Sequence, residues 1–261
     1  MVTVSLCMIV KNEDEFLEKC LNSVKDLVDE IIIVDTGSTD NTKSIAQKFT
    51  DKIFDFEWCD DFSAARNESL KHATKDWILI LDADEVIAEH DFEPIRNAIK
   101  EEKVDGYVLH QLNYTNKVKK TMHKFVKVNV PSFSYAIISP IVRLFRRSEN
   151  VYFDFYVHES VDSSLMKLNS KVLNLPVAIH HYEELKNDLT SNKKNDYYFQ
   201  LLLKNIQKYP SHAKSHYLAA LGYESIENNS EKAIEMCEKA IELQPNNSHF
   251  QSYLDHLKKK F

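Results

Sequence analysis

The sequence predicts an α/β fold: a mixed sheet with flanking helices, followed by a small all-helical tail. Three observations carry this. Short apolar runs alternate with helix-spaced segments four times before Glu85, the rhythm of βαβ units in a parallel sheet. Beyond residue 105 the helix-spaced segments stop and strand-like runs follow one another, as in mixed or antiparallel pairing. From Tyr182 onward the apolar spacing is helical throughout. The expected division is therefore a domain over residues 1–181 and a tail over 182–261.

Taken in order, residues 2–10 are apolar with small polar breaks and predict a first buried strand. A polar loop, Lys11-Asn12-Glu13-Asp14, follows. Phe16, Leu17, Cys20, Leu21, Val24, Leu27 and Val28 then fall at helical spacing. Ile31-Ile32-Ile33-Val34 is a second strand of branched residues. It runs into Asp35-Thr36-Gly37-Ser38-Thr39-Asp40, where Gly37 is expected at positive φ. Thr39 or Asp40 can cap the next helix, whose apolar face is Ile45, Ala46 and Phe49. Ile53-Phe54 reads as a short third strand and residues 61–72 as a helix with Ser63 at its cap. Trp77-Ile78-Leu79-Ile80-Leu81 is too short for a buried helix and suits a strand covered on both faces.

Phe92, Ile95 and Ile99 add another helix, after which residues 106–114, 137–145, 151–157 and 172–179 read as strands. Aromatic residues gather here: Phe133, Tyr135, Phe145, Tyr152, Phe153, Phe155 and Tyr156. They are either ordinary core or a stacking surface for an acceptor. In the tail, Tyr198, Leu201, Leu202, Asn205, Ile206 and Tyr209 repeat at helical spacing until Pro210 stops the helix. Ala219, Ala220, Ala233 and Ala240 let two further helices pack closely across a break at Asn228-Asn229. That hairpin resembles a tetratricopeptide repeat, preceded by the second helix of an incomplete one. Such a tail can bind a protein or mediate self-association.

A chain of 261 residues with 43% apolar content holds one large domain and a small module. Its net charge of -7 argues against a nucleic-acid partner. The local exception is a basic run, Lys117, Lys119, Lys120, His123, Lys124 and Lys127. It is a solvated hairpin, or a surface for an anionic acceptor or an anionic membrane. The four cysteines make no metal spacing and read as reduced thiols. No apolar run approaches the roughly 18 residues of a span. No signal peptide is evident. The expected location is cytoplasmic, with peripheral contact at the inner face of the membrane left open.

Asp82, Asp84 and Glu85 crowd the end of the fourth strand, and such acids repel one another unless a cation joins them. Ala83 lets the backbone lie close to whatever the acids hold. Open α/β sheets bind ligands at the strand C-termini. Right-handed crossovers put those ends on one edge, where Lys11, Asp35, Arg66 and Asp82 would converge.

Four stretches together carry a resemblance: Ser5-Leu6-Cys7-Met8-Ile9-Val10-Lys11-Asn12-Glu13, Ile33-Val34-Asp35-Thr36-Gly37-Ser38-Thr39-Asp40, Phe62-Ser63-Ala64-Ala65-Arg66-Asn67 and Leu81-Asp82-Ala83-Asp84. The chain resembles the family 2 glycosyltransferases, with their GT-A (Rossmann-like) fold. Arg143-Leu144-Phe145-Arg146 and Val157-His158-Glu159 match a bacterial branch that often ends in tetratricopeptide-like helices. The resemblance implies transfer of one sugar from a nucleoside-diphosphate sugar, in the first instance a UDP-sugar, to a glycan, lipid-linked sugar or peptide. The expected chemistry is inverting, non-processive and dependent on Mn²⁺ or Mg²⁺. Thr36 stands where many relatives have a second Asp, and the Gln-x-x-Arg-Trp motif of processive synthases is missing.

By the same resemblance, Val10, Lys11, Asn12, Glu13, Asp35, Gly37, Arg66, Asp82 and Ala83 would border the nucleotide. Arg143 and Arg146 would meet the diphosphate. Asp84 and Asp82, with His180 or His181, would hold the metal, and Glu159 would be the base, with His158 as the other candidate. Two rival readings remain. One is a sugar-phosphate nucleotidylyltransferase, against which the Gly-free loop after the first strand counts. The other is a non-catalytic adaptor working through its helical tail.

Overall fold

A computed structural model of the chain describes residues 1–116, 125–182 and 191–260. Among these the chain divides into two compact units. One takes in the residues up to 116, those from 125 to Asp154 and those from Glu159 to 182. The other takes in Phe155–His158 and the residues from 191 on. The basic run, Lys127 apart, lies outside the described residues.

The first unit is built on one mixed sheet. β1 (Val4–Val10), β2 (Glu30–Asp35), β3 (Ile53–Asp55) and β4 (Trp77–Ile80) are parallel, in the order β3-β2-β1-β4. The residues of β1, β2 and β4 are almost all buried, which explains their unbroken apolar runs, while the edge strand β3 is only partly covered. α1 (Leu17–Val24) covers one face with Leu17, Cys20, Leu21 and Val24, a helical i, i+3, i+4, i+7 stripe. α2 (Thr42–Ala46) has Asn41 rather than Thr39 or Asp40 at its N-cap, without a side-chain cap bond there, while Asp40 Oδ1, one residue earlier, accepts from Thr42 N at 2.9 Å. α3 (Phe62–Lys71) is capped by Asp61, whose Oδ1 accepts from Ala64 N at 3.0 Å. Ser63 is not the cap; its hydroxyl donates to the same Asp61 oxygen. Asp61 alone has the extended backbone that a capping position needs.

Beyond β4 the order continues β8-β6-β9-β5. β5 is Glu85–Ile87, β6 Gly106–Thr115, β7 Phe125–Val130, β8 Phe133–Arg146 and β9 Val172–His181. α4 (Phe92–Ala98) and α5 (Asp162–Lys167) complete the unit. β8 runs antiparallel to β4 and β6, β9 runs parallel to β6, and β5 closes antiparallel on β9. The β6–β9 register slips between Val108 and His110, opposite Pro176. Proline has no N–H to give the ladder, so the strand bulges there.

One predicted strand is absent. Residues 151–157 hold only an isolated bridge, Asp154 to Ser160. Phe155 and His158 have φ of 81° and 56°, which no strand accommodates. The amide of Asn205 supplies the missing partners: its Oδ1 takes Tyr156 N at 2.6 Å and its Nδ2 gives to Val157 O at 2.9 Å. The aromatics are mostly core. Phe145 and Phe153 pack in one cluster, Phe133 packs with Tyr114, and Phe155 stacks on His212 at 4.0 Å.

The second unit holds α6 (Ser191–Lys208), α7 (Ala213–Ser225), α8 (Ser230–Leu243) and α9 (Ser248–Lys260). Ala220, Ala233, Cys237, Tyr253, Leu254 and Leu257 form its core. α9 buries Phe250, Tyr253, Leu254 and Leu257 along one face, the amphipathic stripe of a packed helix. Among the described residues no helix is long and apolar enough to cross a membrane. The four cysteines are free thiols.

Candidate functional site

The C-terminal ends of the parallel strands gather charged side chains in the first unit. At the end of β2, Asp35 is 1% exposed. Its Oδ1 accepts from Gly37 N at 2.9 Å and Ser38 N at 2.8 Å, a turn that Gly37 permits by its φ of 103°. Lys43 Nζ lies 3.9 Å from the same oxygen. Oδ2 is buried without a hydrogen-bond partner among the described residues. The loop after β1 is pinned beside it. Asn12 N donates to Ser38 Oγ at 2.9 Å, Asn12 Oδ1 accepts from Thr39 N at 2.7 Å, and Glu13 N donates to Thr42 Oγ1 at 2.7 Å. Lys11 is exposed.

At the end of β4, Asp82 lies between two arginines. Arg66 Nη2, from α3, donates to Asp82 Oδ1, and Arg143 Nη2, from β8, donates to Oδ2 at 2.8 Å. Burial opposes ionisation, but the two guanidinium groups outweigh it and hold this carboxyl well below the usual range. Arg66 Nε also donates to Glu159 at 3.1 Å. Arg66 and Arg143 are 3% and 6% exposed. Arg66 Nη1 and Arg143 Nε are buried with no partner among the described residues, a cost of about 1–3 kcal/mol each that a ligand would relieve.

Asp84 lies on the other side of the turn. Its Oδ2 stands 3.4 Å from His181 Nε2 at the end of β9. His181 Nδ1 makes a 2.7 Å bond with Asn113 Oδ1 on β6. Glu85 is wholly buried and accepts from Gln111 Nε2 at 2.5 Å and from Asp82 N at 2.7 Å. Burial pushes its carboxyl up.

The structure thus brings together Asp82, Arg66, Arg143 and Glu159, with Asp84 and His181 alongside. Two candidates stand elsewhere. His180 points to the opposite face of β9, as strand alternation requires, and bonds Tyr114 Oη at 2.6 Å through Nδ1. Arg146 pairs with Trp77 at the far end of β4 and donates to Val104 O and Glu101 O. His158 is exposed. The sequence alone assigned no role to Gln111 or Asn113, and read Glu85 only as one of the acids crowding the strand end. The only signal was the i, i+2 spacing of Gln111 and Asn113 on one strand face.

A carboxylate and an imidazole facing one another are donors that suit a divalent cation. Among the described residues no cluster of three or more such ligands exists. A hard cation would therefore complete its shell with phosphate oxygens and water. The donor set fits on those terms.

The parallel half-sheet, the antiparallel extension and the acid–arginine cluster at the strand ends define a GT-A-type protein. The chain belongs to glycosyl transferase family 2, whose family model matches residues 5–161. A TPR repeat-containing protein of Synechococcus elongatus is 38% identical over 189 residues, covering 70% of this chain and 42% of the relative. The SPbeta prophage-derived glycosyltransferase SunS of Bacillus subtilis is 31% identical over 202 residues, covering 74% and 43%. The chain thus spans less than half the length of these relatives. In fold it is similar to Staphylococcus aureus TarS 1-349 solved with UDP (TM-score 0.53, 16% identity, 94% of this chain and 81% of that one). It is also similar to a Mycobacterium tuberculosis glucosyl-3-phosphoglycerate synthase solved with Mn²⁺ and UDP-glucose (TM-score 0.50, 15% identity, 78% of each).

Proposed function

We propose that this chain moves one sugar from a nucleoside-diphosphate sugar to an acceptor with the help of a divalent cation. The observation that carries the reading is the pair of poles at one strand edge: Asp84 facing His181, and Asp82 held by Arg66 and Arg143. Asp35 offers its orphaned Oδ2 to a donor on the base or ribose. Val10, Lys11, Asn12, Glu13, Gly37 and Ala83 border the nucleotide. Arg66 Nη1 and Arg143 Nε are the free donors for diphosphate oxygens, a contact to which guanidinium groups are suited.

Asp84 and His181 would hold the cation; both oxygens of Asp82 are already committed to arginine. A cation bound there neutralises charge on the leaving diphosphate. Because one ligand is an imidazole, Mn²⁺ suits the pair better than Mg²⁺. The fold relatives solved with UDP and with Mn²⁺ and UDP-glucose make UDP-sugars and Mn²⁺ the first to try. Glu159 has one oxygen held by Arg66 Nε, which fixes its orientation. The other oxygen takes the acceptor proton in a single inverting displacement.

The test is a panel of nucleotide sugars with Mn²⁺ and glycan, lipid-linked and peptide acceptors, following release of nucleoside diphosphate. We expect release from a UDP-sugar and a fall of about a hundredfold or more in Asp84→Asn, the scale of a lost electrostatic contact at the reacting group. Unchanged turnover in Asp84→Asn would end the metal role. Pyrophosphate as the product would mean nucleotidyl transfer instead.

A further inference from the structure

We infer that Asn113 is a positioning residue that sets the tautomer and aim of His181. The inference rests on the proposed metal role of Asp84 and His181. The parallel β6–β9 register places Asn113 beside His181, and the antiparallel β5–β9 register places Glu85 against the same histidine. These side chains are brought together from three strands distant in sequence.

The polarity of the contact follows from one atom whose role is fixed. The carbonyl oxygen of Ile137 can only accept, and Asn113 Nδ2 lies 3.4 Å from it. The same nitrogen lies 3.1 Å from Ser139 Oγ and 3.3 Å from Gln111 Oε1. The amide nitrogen of Asn113 therefore faces β8, and its oxygen faces His181. That oxygen can only accept, so His181 Nδ1 carries the hydrogen of their 2.7 Å bond. In the neutral ring Nε2 is then the bare nitrogen, and it looks at Asp84 Oδ2 across 3.4 Å. In that neutral form two acceptors face each other, an arrangement that a proton or a cation completes. A ligating histidine is aimed in this way by whatever holds its other nitrogen.

The opposite end of the chain closes on the same turn. Gln111 spends its oxygen on Asn113, so its nitrogen points to Glu85 Oε1 at 2.5 Å. Glu85 Oε2 receives Asp82 N at 2.7 Å. Asp82, Glu85, Gln111, Asn113, His181 and Asp84 form one series of contacts that starts and ends on the acidic turn. Each amide in it has a single allowed orientation.

The inference is tested first on the unaltered protein without metal. ¹⁵N NMR of its histidines, at a pH where the imidazole is neutral and with His181→Gln for assignment, should show His181 protonated at Nδ1. A hydrogen on Nε2 would overturn the inference, and this measurement needs no variant to fold. Second, Mn²⁺ binding in the presence of UDP is followed by the EPR signal of free Mn²⁺. Asn113→Leu should weaken Mn²⁺ by about 10–100-fold, and Asn113→Asp, which keeps an acceptor, should restore it. Binding of UDP without metal should be the same in all three proteins. Equal Mn²⁺ affinity in Asn113→Leu and the unaltered chain would overturn the positioning role while leaving the metal site standing. No Mn²⁺ binding by the unaltered chain would strike the metal reading itself, and the inference with it.

Discussion

Arg66 bridges two acids, reaching Asp82 through Nη2 and Glu159 through Nε. Only a planar fork does both, so Arg66→Lys should behave as a damaging change rather than a conservative one. We expect it to cost about 1–3 kcal/mol of stability and most of the diphosphate affinity, read by denaturant titration and by nucleotide calorimetry. The gathering of Asp35, Arg66, Asp82 and Asp84 at one sheet edge was legible in the sequence because each sits at the end of a local strand or in a short motif. His181 was half legible: the His pair at a strand end was visible, but strand register decides which of the two faces Asp84. Asn113 was not, and neither was the link from Gln111 to Glu85, because those partners come from different strands. Glu30 is a residue of a different kind. It lies at the N-terminal end of β2, away from the site, accepting from Ser5 Oγ at 2.5 Å, from Thr74 N and Oγ1 at 2.8 Å, and from Lys52. Burial would raise its carboxyl, but these bonds prevail and lower it from 4.5 to about 2. The folded form thus holds its charge more tightly than the unfolded chain. Its stabilisation is complete above the ordinary carboxylate range and drains away as pH falls from 4.5 toward 2. Glu30→Gln should flatten that part of the stability–pH curve.

At the scale of elements, the parallel strands and their helices were readable because period and length agree over each run. The segment 151–157 was not. Its aromatic and branched residues favour a strand, yet Asn205, about fifty places on, takes its backbone groups instead. Tertiary hydrogen bonding overrode local preference. Gly222 on α7 poses a similar conflict in the tail. A glycine inside a helix costs up to about 1 kcal/mol against alanine, so Gly222→Ala should stabilise if propensity alone ruled. A Cβ there would meet the ring of Phe199 on α6, and overpacking costs about 1–3 kcal/mol. The clash is the larger effect. Gly222→Ala is expected to lower the melting temperature, and Gly222→Ala with Phe199→Leu to recover part of the loss. A rise in melting temperature in the single variant would mean the ring moves aside freely.

Across the whole sheet, the order β3-β2-β1-β4-β8-β6-β9-β5 would, on the proposed reading, spread the two ends of a nucleotide sugar over different strands. Asp35 stands at the end of β2, while Asp82 and Asp84 follow β4, Arg143 reaches in from within β8 and His181 ends β9. The base end and the diphosphate end should therefore respond to different substitutions. A nucleoside monophosphate reaches the first group but carries no diphosphate to share a cation with Asp84 and His181. Its affinity should not depend on Mn²⁺. UDP should bind about tenfold or more tighter with Mn²⁺ than with chelator, a difference of about 1.4 kcal/mol or more. Asp84→Asn should erase that difference while leaving UMP binding where it was. Asp35→Ala should weaken UMP and UDP by the same factor, because it removes a contact common to both. Calorimetry with UMP and UDP, each with Mn²⁺ and with chelator, gives four affinities per variant. Additivity is expected between Asp35→Ala and Asp84→Asn, since the two carboxylates follow different strands, β2 and β4, with β1 between them. A metal effect on UMP as large as that on UDP would place the cation at the base end and contradict this division of the sheet edge.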